Sequence, residues 1–89
     1  MPLSRYLAAG VRVGLGSDVA AGPDAPLFSV MRAGAYTQNA LRAAGLSEAA
    51  PLSPGDWLRI GSLGGAAALG LDDQIGSVEE GKEADLLVI

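Results

Sequence analysis

The apolar positions of residues 11–18 alternate with small or polar ones, and this alternation predicts a β-strand. One face of that strand would carry Val11, Val13 and Leu15. The other face would carry Arg12, Gly14, Gly16 and Asp18. A period of two is the side-chain repeat of an extended chain. A short helix before the strand and a loop and longer helix after it predict a βα-type fold.

Two helices flank this strand in the sequence pattern. Residues 2–9 start with a proline, which suits a first helical turn, and end before Gly10, which suits a helix C-terminus. Residues 27–44 carry one broad apolar stripe. Within that stretch, Met31 and Tyr36 are expected to pack in the core rather than to contact a ligand.

A third helix is predicted by the chemistry of its start. Ser53 suits the N-cap and Pro54 the first helical position, while Asp56 lies three residues beyond Ser53, close to a capping box. We expect this helix to break at residues 61–62, where Gly is followed by Ser. A short alanine-rich helix over residues 63–69 should follow.

The tail of the chain changes character after residue 71. Residues 75–78 and 84–89 read as two short strands, joined by a polar turn at residues 79–82. The second strand ends in a continuous apolar run with no turn after it, which predicts a truncated structure. We therefore expect residues 1–71 and residues 72–89 to belong to different structural units.

Composition and charge narrow the classes of function. The 89 residues carry a formal charge of −4, which argues against nucleic acid and anionic membranes as partners. No apolar run approaches the roughly 20 residues of a membrane span. The absence of cysteine fits a cytoplasmic protein, and the absence of both cysteine and histidine excludes a Ser-His-Asp triad or an ordinary zinc site built by this chain alone.

Asp18 is the residue with the clearest potential for chemistry. In a (β/α) barrel it would share the inward face with Gly14 and Gly16 and lie at the C-terminal end of the strand, where such barrels keep their active sites. A carboxylate there could bind a metal or act as a general base. The alternative is that Asp18 merely forms a turn. The following loop, residues 19–26, is either a substrate-contacting loop or a plain connection.

Two glycine-containing stretches have part of the spacing of nucleotide-binding motifs, but their residues do not suit phosphate binding. Residues 76–83 have the spacing of a P-loop, but Glu83 stands where Ser or Thr should bind magnesium, and Glu79 and Glu80 would repel phosphate. Residues 14–19 lack the third glycine of a dinucleotide fingerprint, and Asp18 would repel a pyrophosphate. A polar surface turn is the better interpretation of residues 76–83.

Four segments together resemble the C-terminal part of metal-dependent amidohydrolases, most closely the guanine deaminase branch. They are GVRVGLGSDVAAGP, LFSVMRAGAYTQNA, LGGAAALGL and IGSVEEGKEADLLVI. The resemblance implies an α/β fold: the last strand and following helices of a (β/α)8 TIM-type barrel, plus a hairpin of the accompanying β-sandwich. Residues 11–17 would be the eighth barrel strand. Asp18 matches the family's aspartate, which binds the catalytic zinc or iron and shuttles protons.

The resemblance also implies an activity and its limits. The family member would remove the amino group from a purine ring by hydrolysis, converting guanine to xanthine and ammonia in purine metabolism. The alternative is another amidohydrolase: a chlorohydrolase, another aminohydrolase or an imidazolonepropionase. The family's histidine ligands and its acid/base glutamate come from earlier strands. We therefore expect this chain alone to be inactive, without tightly bound metal. We expect the chain either to associate with itself or to act together with a missing N-terminal portion. A non-catalytic truncated product is the further alternative.

Overall fold

The computed structural model describes residues 1–22 and 25–89, and the regular structure of these residues is helical. The helices are α1 (Leu3–Ala8), α2 (Leu27–Ala43), α3 (Pro54–Arg59), a π-helical segment (Ile60–Gly64) and α4 (Gly65–Leu69). The predicted helices over residues 2–9 and 27–44 are thus confirmed to within a residue or two at each end. Residues 46–53 connect α2 to α3 without regular structure.

The three predicted strands are not formed among the residues that the structure describes. Residues 11–18, 75–78 and 84–89 run without strand pairing, so the predicted hairpin is absent as well. A β-strand exists through hydrogen bonds to a neighbouring strand, and no described segment offers residues 11–18 such a neighbour. The predicted alternation nevertheless survives in the burial. Residues 13, 15 and 17 are half-buried, whereas residues 12, 14, 16 and 18 are exposed.

Helix α1 is attached to α2 through the side chain of Gln38. Its amide nitrogen Nε2 donates to the main-chain oxygen of Met1 at 3.0 Å, and its Oε1 accepts from the Leu3 N–H at 3.2 Å. The Leu3 N–H is one of the first donors of α1, which lack partners inside the helix. Gln38 therefore both caps α1 and fixes it against α2, and it places Leu3 in the core.

Helices α3 and α4 form one uninterrupted helical rod, so the predicted break at residues 61–62 is wrong. Backbone angles stay helical through the π-helical segment, with φ −63° and ψ −38° at Ile60 and φ −63° and ψ −42° at Gly64. The Ser62 hydroxyl donates to the Leu58 carbonyl oxygen at 2.7 Å, inside the rod. The rod ends at Gly70, whose φ of +72° is the left-handed cap that glycine favours.

The core is small and lies between the rod, α1, α2 and residues 11–18. Its buried members are Leu3, Trp57 and Ile60, and half-buried side chains pack around them: Val13, Leu15, Met31, Ala35 and Leu52. The core position of Met31 is as predicted. Val13 and Leu15, from the apolar face of residues 11–18, also pack against the helices, whereas Val11 of the same face is 46% exposed. Tyr36 is 67% exposed, so its predicted core position is wrong; it lies one residue past Ala35 and turns off the buried stripe.

Trp57 fits against α2 because Gly34 has no side chain. A Cβ at Gly34 would lie 2.7 Å from two atoms of the Trp57 ring, closer than side chains pack. The indole ring thus lies directly on the α2 backbone, and Trp57 is only 6% exposed. This contact joins α2 to the rod.

The start of α3 carries the predicted capping box. The Ser53 hydroxyl accepts from the Asp56 N–H at 3.2 Å, and the Asp56 carboxylate accepts from the Ser53 N–H at 2.8 Å and from its hydroxyl at 2.7 Å. These bonds from the Ser53 hydroxyl, and then from its backbone, hold the pKa of Asp56 below its usual value. A lowered folded-state pKa stabilises the fold above the unfolded pKa, and this contribution is lost as pH falls through the folded value.

Replacing Ser53 by alanine should lower the free energy of unfolding by about 1 kcal/mol at neutral pH, because the Asp56 N–H loses its acceptor and the Asp56 carboxylate loses the Ser53 hydroxyl. The difference from the wild type should shrink as the pH falls through the lowered pKa of Asp56 in the folded state, where its carboxylate becomes protonated. Urea denaturation at pH 7 and pH 3 measures both values. Ser47→Ala is the control, since the Ser47 hydroxyl makes no hydrogen bond in the described part of the chain; an equal loss there would contradict the cap.

The turn over residues 72–82 closes around the side chain of Lys82. Its ammonium donates to the Asp72 carbonyl oxygen and to the Ser77 hydroxyl at 2.7 Å, and it lies 3.6 Å from the Glu79 carboxylate. The Ser77 hydroxyl donates to Glu79 at 2.7 Å; this bond, and then the charge of Lys82, lowers the pKa of Glu79. Lys82 therefore stabilises a polar turn. This agrees with the prediction that residues 76–83 form a surface turn and not a P-loop.

The last residues of the chain leave the body of the structure. The Glu83 N–H still donates to the Gln74 carbonyl oxygen at 2.9 Å, and beyond it residues 84–89 are exposed. The aliphatic side chains of Leu86, Leu87, Val88 and Ile89 are 65–98% exposed. Among the helices of the described residues, none has the length and hydropathy that a membrane span requires.

Candidate functional site

Asp18 ends the segment of residues 11–18 in an uncommon backbone conformation. Its φ is +43°, and within residues 1–22 and 25–89 it is the only residue besides glycine with a positive φ. Its carbonyl oxygen accepts from the N–H groups of Ala21, at 2.8 Å, and of Gly22, which closes the turn that follows. The left-handed region is costly for most residues with a side chain, and aspartate is among the few that tolerate it.

The turn at Asp18 is made by its main chain, which leaves its side chain available. The residue is exposed, and its carboxylate makes no hydrogen bond or ion pair with the residues that the structure describes. The alternative interpretation of Asp18 as a turn residue therefore accounts for its backbone but not for its carboxylate. Both oxygens remain free to accept a proton or to bind a cation.

The two glycines before Asp18 have different surroundings. A Cβ at Gly16 would meet nothing within 4 Å, so open space lies on the side that Asp18 shares, as predicted. A Cβ at Gly14 would lie 2.9 Å from Gly65 Cα. The prediction that both glycines leave room around Asp18 thus holds for Gly16, whereas Gly14 allows a close contact between two backbones.

The loop after Asp18 is described only in part. Val19 is 70% exposed, and residues 19–22 form the turn closed by the Asp18 carbonyl. Pro23 and Asp24 of the predicted substrate loop lie outside the described residues. Contact between this loop and a substrate therefore stays a prediction.

The carboxylate of Asp18, predicted from the sequence to bind a metal, is a single ligand. In the part of the chain that the structure describes, no three Asp, Glu, His or Cys side chains come together as a metal-binding group. A carboxylate oxygen is a usual ligand of zinc, and catalytic zinc takes about three protein ligands. The Asp18 carboxylate thus fits a metal site to which other residues contribute further ligands. It does not form a metal site alone.

We expect the 89-residue chain by itself to bind zinc only weakly. It has no histidine and no cysteine, and its candidate ligand is a single carboxylate. Calorimetric titration with zinc chloride measures the affinity, with Asp18→Asn as the control for binding at that carboxylate. A stoichiometric submicromolar site in the wild type would contradict the prediction.

An apolar groove of about 490 Å³ lies between α2 and α3, away from this chemistry. Its walls include Phe28, Met31, Trp57 and Leu58, and the charged group at its edge is Arg32. Among the residues that the structure describes, the lining of the groove includes no carboxylate, and Asp18 is not part of it. It therefore lacks the acid and base groups that a hydrolytic site needs.

Comparison with known proteins gives a family and several relatives. The family model described as "Amidohydrolase family" matches residues 1–89. The chain is 45% identical over 86 residues to a protein named "Probable guanine deaminase" from Deinococcus radiodurans, covering 94% of this chain and 18% of that protein. It is 41% identical over 88 residues to a "5-methylthioadenosine/S-adenosylhomocysteine deaminase" of Desulforudis audaxviator, covering 98% of this chain and 20% of that protein.

A solved structure shows the same arrangement of the chain. Guanine deaminase from E. coli superposes with a TM-score of 0.76 at 33% sequence identity, covering 92% of this chain and 17% of that chain. The described residues thus reproduce one part of that larger fold. The chain spans about a fifth of the length of the relatives that it matches.

Proposed function

The chain belongs to the amidohydrolase family, and we propose that it supplies one part of a metal-dependent hydrolytic deaminase acting on a purine ring. In this reaction water adds to a ring carbon: a C–O bond forms, the C–N bond breaks and ammonia leaves. Guanine, giving xanthine, is the proposed substrate, since relatives in bacteria and mammals carry the name guanine deaminase. "Complete enzyme" below means the proposed deaminase that contains residues 1–89.

We place residues 1–71 in the C-terminal part of a (β/α)8 barrel and residues 72–89 in its β-sandwich. In residues 1–22 and 25–89, the main-chain groups of residues 12–17 make no hydrogen bond, although side chains 13 and 15 pack on helices. Backbone N–H and C=O groups of an apolar segment need partners, which neighbouring strands would supply. The alternation of burial along residues 12–18 supports a strand in that position.

The observation that carries the proposed chemistry is the exposed carboxylate of Asp18 at the end of that segment, which has no hydrogen-bond or ion-pair partner among residues 1–22 and 25–89. A metal ion bound beside it would supply Lewis acidity and lower the pKa of water toward neutrality. The Asp18 carboxylate then accepts the proton of the attacking water at one oxygen. It donates that proton to the departing amino group, so that neutral ammonia leaves.

The local backbone explains why an aspartate suits this position. Its carbonyl closes the turn through Ala21 and Gly22, which fixes the main chain and leaves the side chain projecting into open space. Uncommon backbone conformations of this kind cluster at functional sites, where the surrounding structure holds them. Gly16 keeps the adjoining space clear for a planar heterocycle.

A second substrate follows from another relative. The chain is nearly as similar to the 5-methylthioadenosine/S-adenosylhomocysteine deaminase as to the guanine deaminase. Both names describe removal of an amino group from a purine, so the reaction is the same and the pocket decides the substrate. A cytoplasmic location for the complete enzyme stays part of the proposal.

Release of ammonia by the complete enzyme tests the proposal. Guanine, 5-methylthioadenosine and an amino-s-triazine are offered separately, the last because a relative from Gordonia rubripertincta is named S-triazine hydrolase. Each is tested before and after metal removal by a chelator and after zinc is restored. We expect ammonia from guanine, loss of activity on chelation and recovery with zinc. Ammonia from 5-methylthioadenosine alone would transfer the assignment to that substrate, and no ammonia from any of the three would refute a deaminase.

A further inference from the structure

The segment that carries Asp18 is held against the helical rod by contacts in a regular order. Arg12 Nη1 donates to the Ala67 carbonyl oxygen at 3.1 Å, near the C-terminal end of α4. A guanidinium is favourable there because the last carbonyls of a helix carry partial negative charge. Two residues later, Gly14 lies on Gly65 so closely that a Cβ would be 2.9 Å from the Gly65 Cα.

The next contacts continue down the rod. A Cβ at Gly64 would lie 3.4 Å from the Val13 carbonyl oxygen, and a Cβ at Gly61 would lie 3.5 Å from Leu15 Cδ1. Residues 12–15 thus run antiparallel to residues 61–67, with glycine in the rod where the segment crosses. The π-helical segment contains two of these glycines, and such segments often occur at functional sites.

We propose that the backbone contact between Gly14 and Gly65 positions Asp18 for catalysis; this rests on the function proposed for Asp18. Only Gly16 and Ser17 lie between the last anchored residue, Leu15, and Asp18, and the chain advances roughly 3.3–3.6 Å per extended residue. A displacement of the segment at Gly14 is therefore carried to the carboxylate. The Asp18 turn itself is fixed locally by its own hydrogen bonds, so the turn moves as a unit.

Gly14→Ala tests the contact because the new methyl group cannot rotate away. It would lie 2.9 Å from a backbone atom, whereas ordinary contacts begin near 3.4 Å, so one of the two backbones has to move. Misplacement of a reacting group by about 1 Å can cost about 10²-fold in rate. In the complete enzyme we expect kcat to fall about 10- to 100-fold with KM changed less than about threefold, since proton transfer contributes in the transition state.

Gly34→Ala is the matched control for loss of stability. Its methyl group would press on the Trp57 ring at 2.7 Å, in the contact between α2 and the rod rather than in the Asp18 segment. We expect this variant to lower the melting temperature but to keep wild-type kcat at a temperature where it is fully folded. If Gly14→Ala and Gly34→Ala lowered kcat equally, the contact would be merely structural and the proposal would be overturned.

A double variant separates positioning from a direct effect of Gly14. If Gly14 acts through Asp18, Gly14→Ala should slow Asp18→Asn no further, whereas independent effects would multiply. Multiplied effects would overturn the proposal. Asp18→Asn with wild-type turnover would instead refute the function of Asp18 itself, and so the two failures are distinguishable.

Arg12→Met keeps the proposal testable if Gly14→Ala does not fold. Arg12 is exposed, and the change removes the hydrogen bond to Ala67 without introducing a clash. Loosening the same segment should lower kcat about threefold, again without a further effect in the Asp18→Asn background. If Gly14→Ala does not fold and a folded Arg12→Met keeps the wild-type kcat, the proposal that contacts between this segment and the rod position Asp18 would be overturned.

Discussion

Replacing Asp18 by asparagine in the complete enzyme should lower kcat by about 10²–10⁴-fold, the usual range for loss of a general acid–base group. The amide has nearly the shape of the carboxylate but carries no charge and does not accept and return a proton at neutral pH. The fold should be unaffected because the Asp18 side chain is exposed and the turn depends on its main-chain carbonyl. Steady-state kinetics with guanine and circular dichroism measure the two effects.

Asp73→Asn is the matched control for that variant. Asp73 is also exposed, lies in the tail of the chain, and its change removes one negative charge in the same way. We expect its kcat to stay within twofold of the wild type. Wild-type turnover in a metal-loaded Asp18→Asn protein would mean that Asp18 serves only the turn.

The second large effect concerns the core. Trp57→Ala should lower the free energy of unfolding by about 3–5 kcal/mol, the range for removing a buried aromatic side chain. Trp57 is 6% exposed and packs on the bare backbone at Gly34, so nothing nearby fills the space that its ring leaves. Against a typical total of about 5–15 kcal/mol, this loss leaves a marginally stable protein. Urea denaturation followed by circular dichroism measures it.

Leu58→Ala is the control for the tryptophan. Leu58 follows Trp57 in the same helix but is 51% exposed, and its loss should cost about 1 kcal/mol or less. Equal losses for the two variants would contradict a core centred on Trp57. An unchanged stability for Trp57→Ala would show that Leu3 and Ile60 hold the fold without it.

The helices could be predicted from the sequence because their determinants are local. Ser53, Pro54 and Asp56 define the start of α3 within a few residues, and glycines mark the helix ends near residues 10, 45 and 70. Each signal acts through hydrogen bonds inside the helix or its cap. No distant part of the chain has to be known for these elements to form.

The strands and the unbroken rod could not be predicted in the same way. A strand at residues 11–17 requires a partner that the described residues do not provide, so alternation alone predicted its burial but not its pairing. Glycine and serine at residues 61–62 are weak helix formers, which favoured a break. Gly61 packs directly against the side chains of Met31, Leu27 and Leu15, and these contacts are invisible in a local pattern.

The candidate site shows the same division between local and distant information. Parity placed Asp18 on the same face of its segment as Gly14 and Gly16, opposite Val13 and Leu15, and the structure keeps these two sets on different sides. The left-handed backbone of Asp18 and the contact of Gly14 with Gly65 depend on the turn and the rod. Sequence spacing carries no signal for either, although the paired glycines at residues 64–65 mark where a backbone could approach.

The central claim is that Asp18 binds the catalytic metal, and an anomalous-diffraction map of the complete enzyme tests it most directly. Data collected at the absorption edge of the bound metal locate that atom independently of any assumed ligand. We predict a single strong peak about 2.0–2.2 Å from one Asp18 carboxylate oxygen, the usual distance for zinc and a carboxylate. A fully ligated metal with the Asp18 carboxylate more than about 4 Å away would contradict the claim.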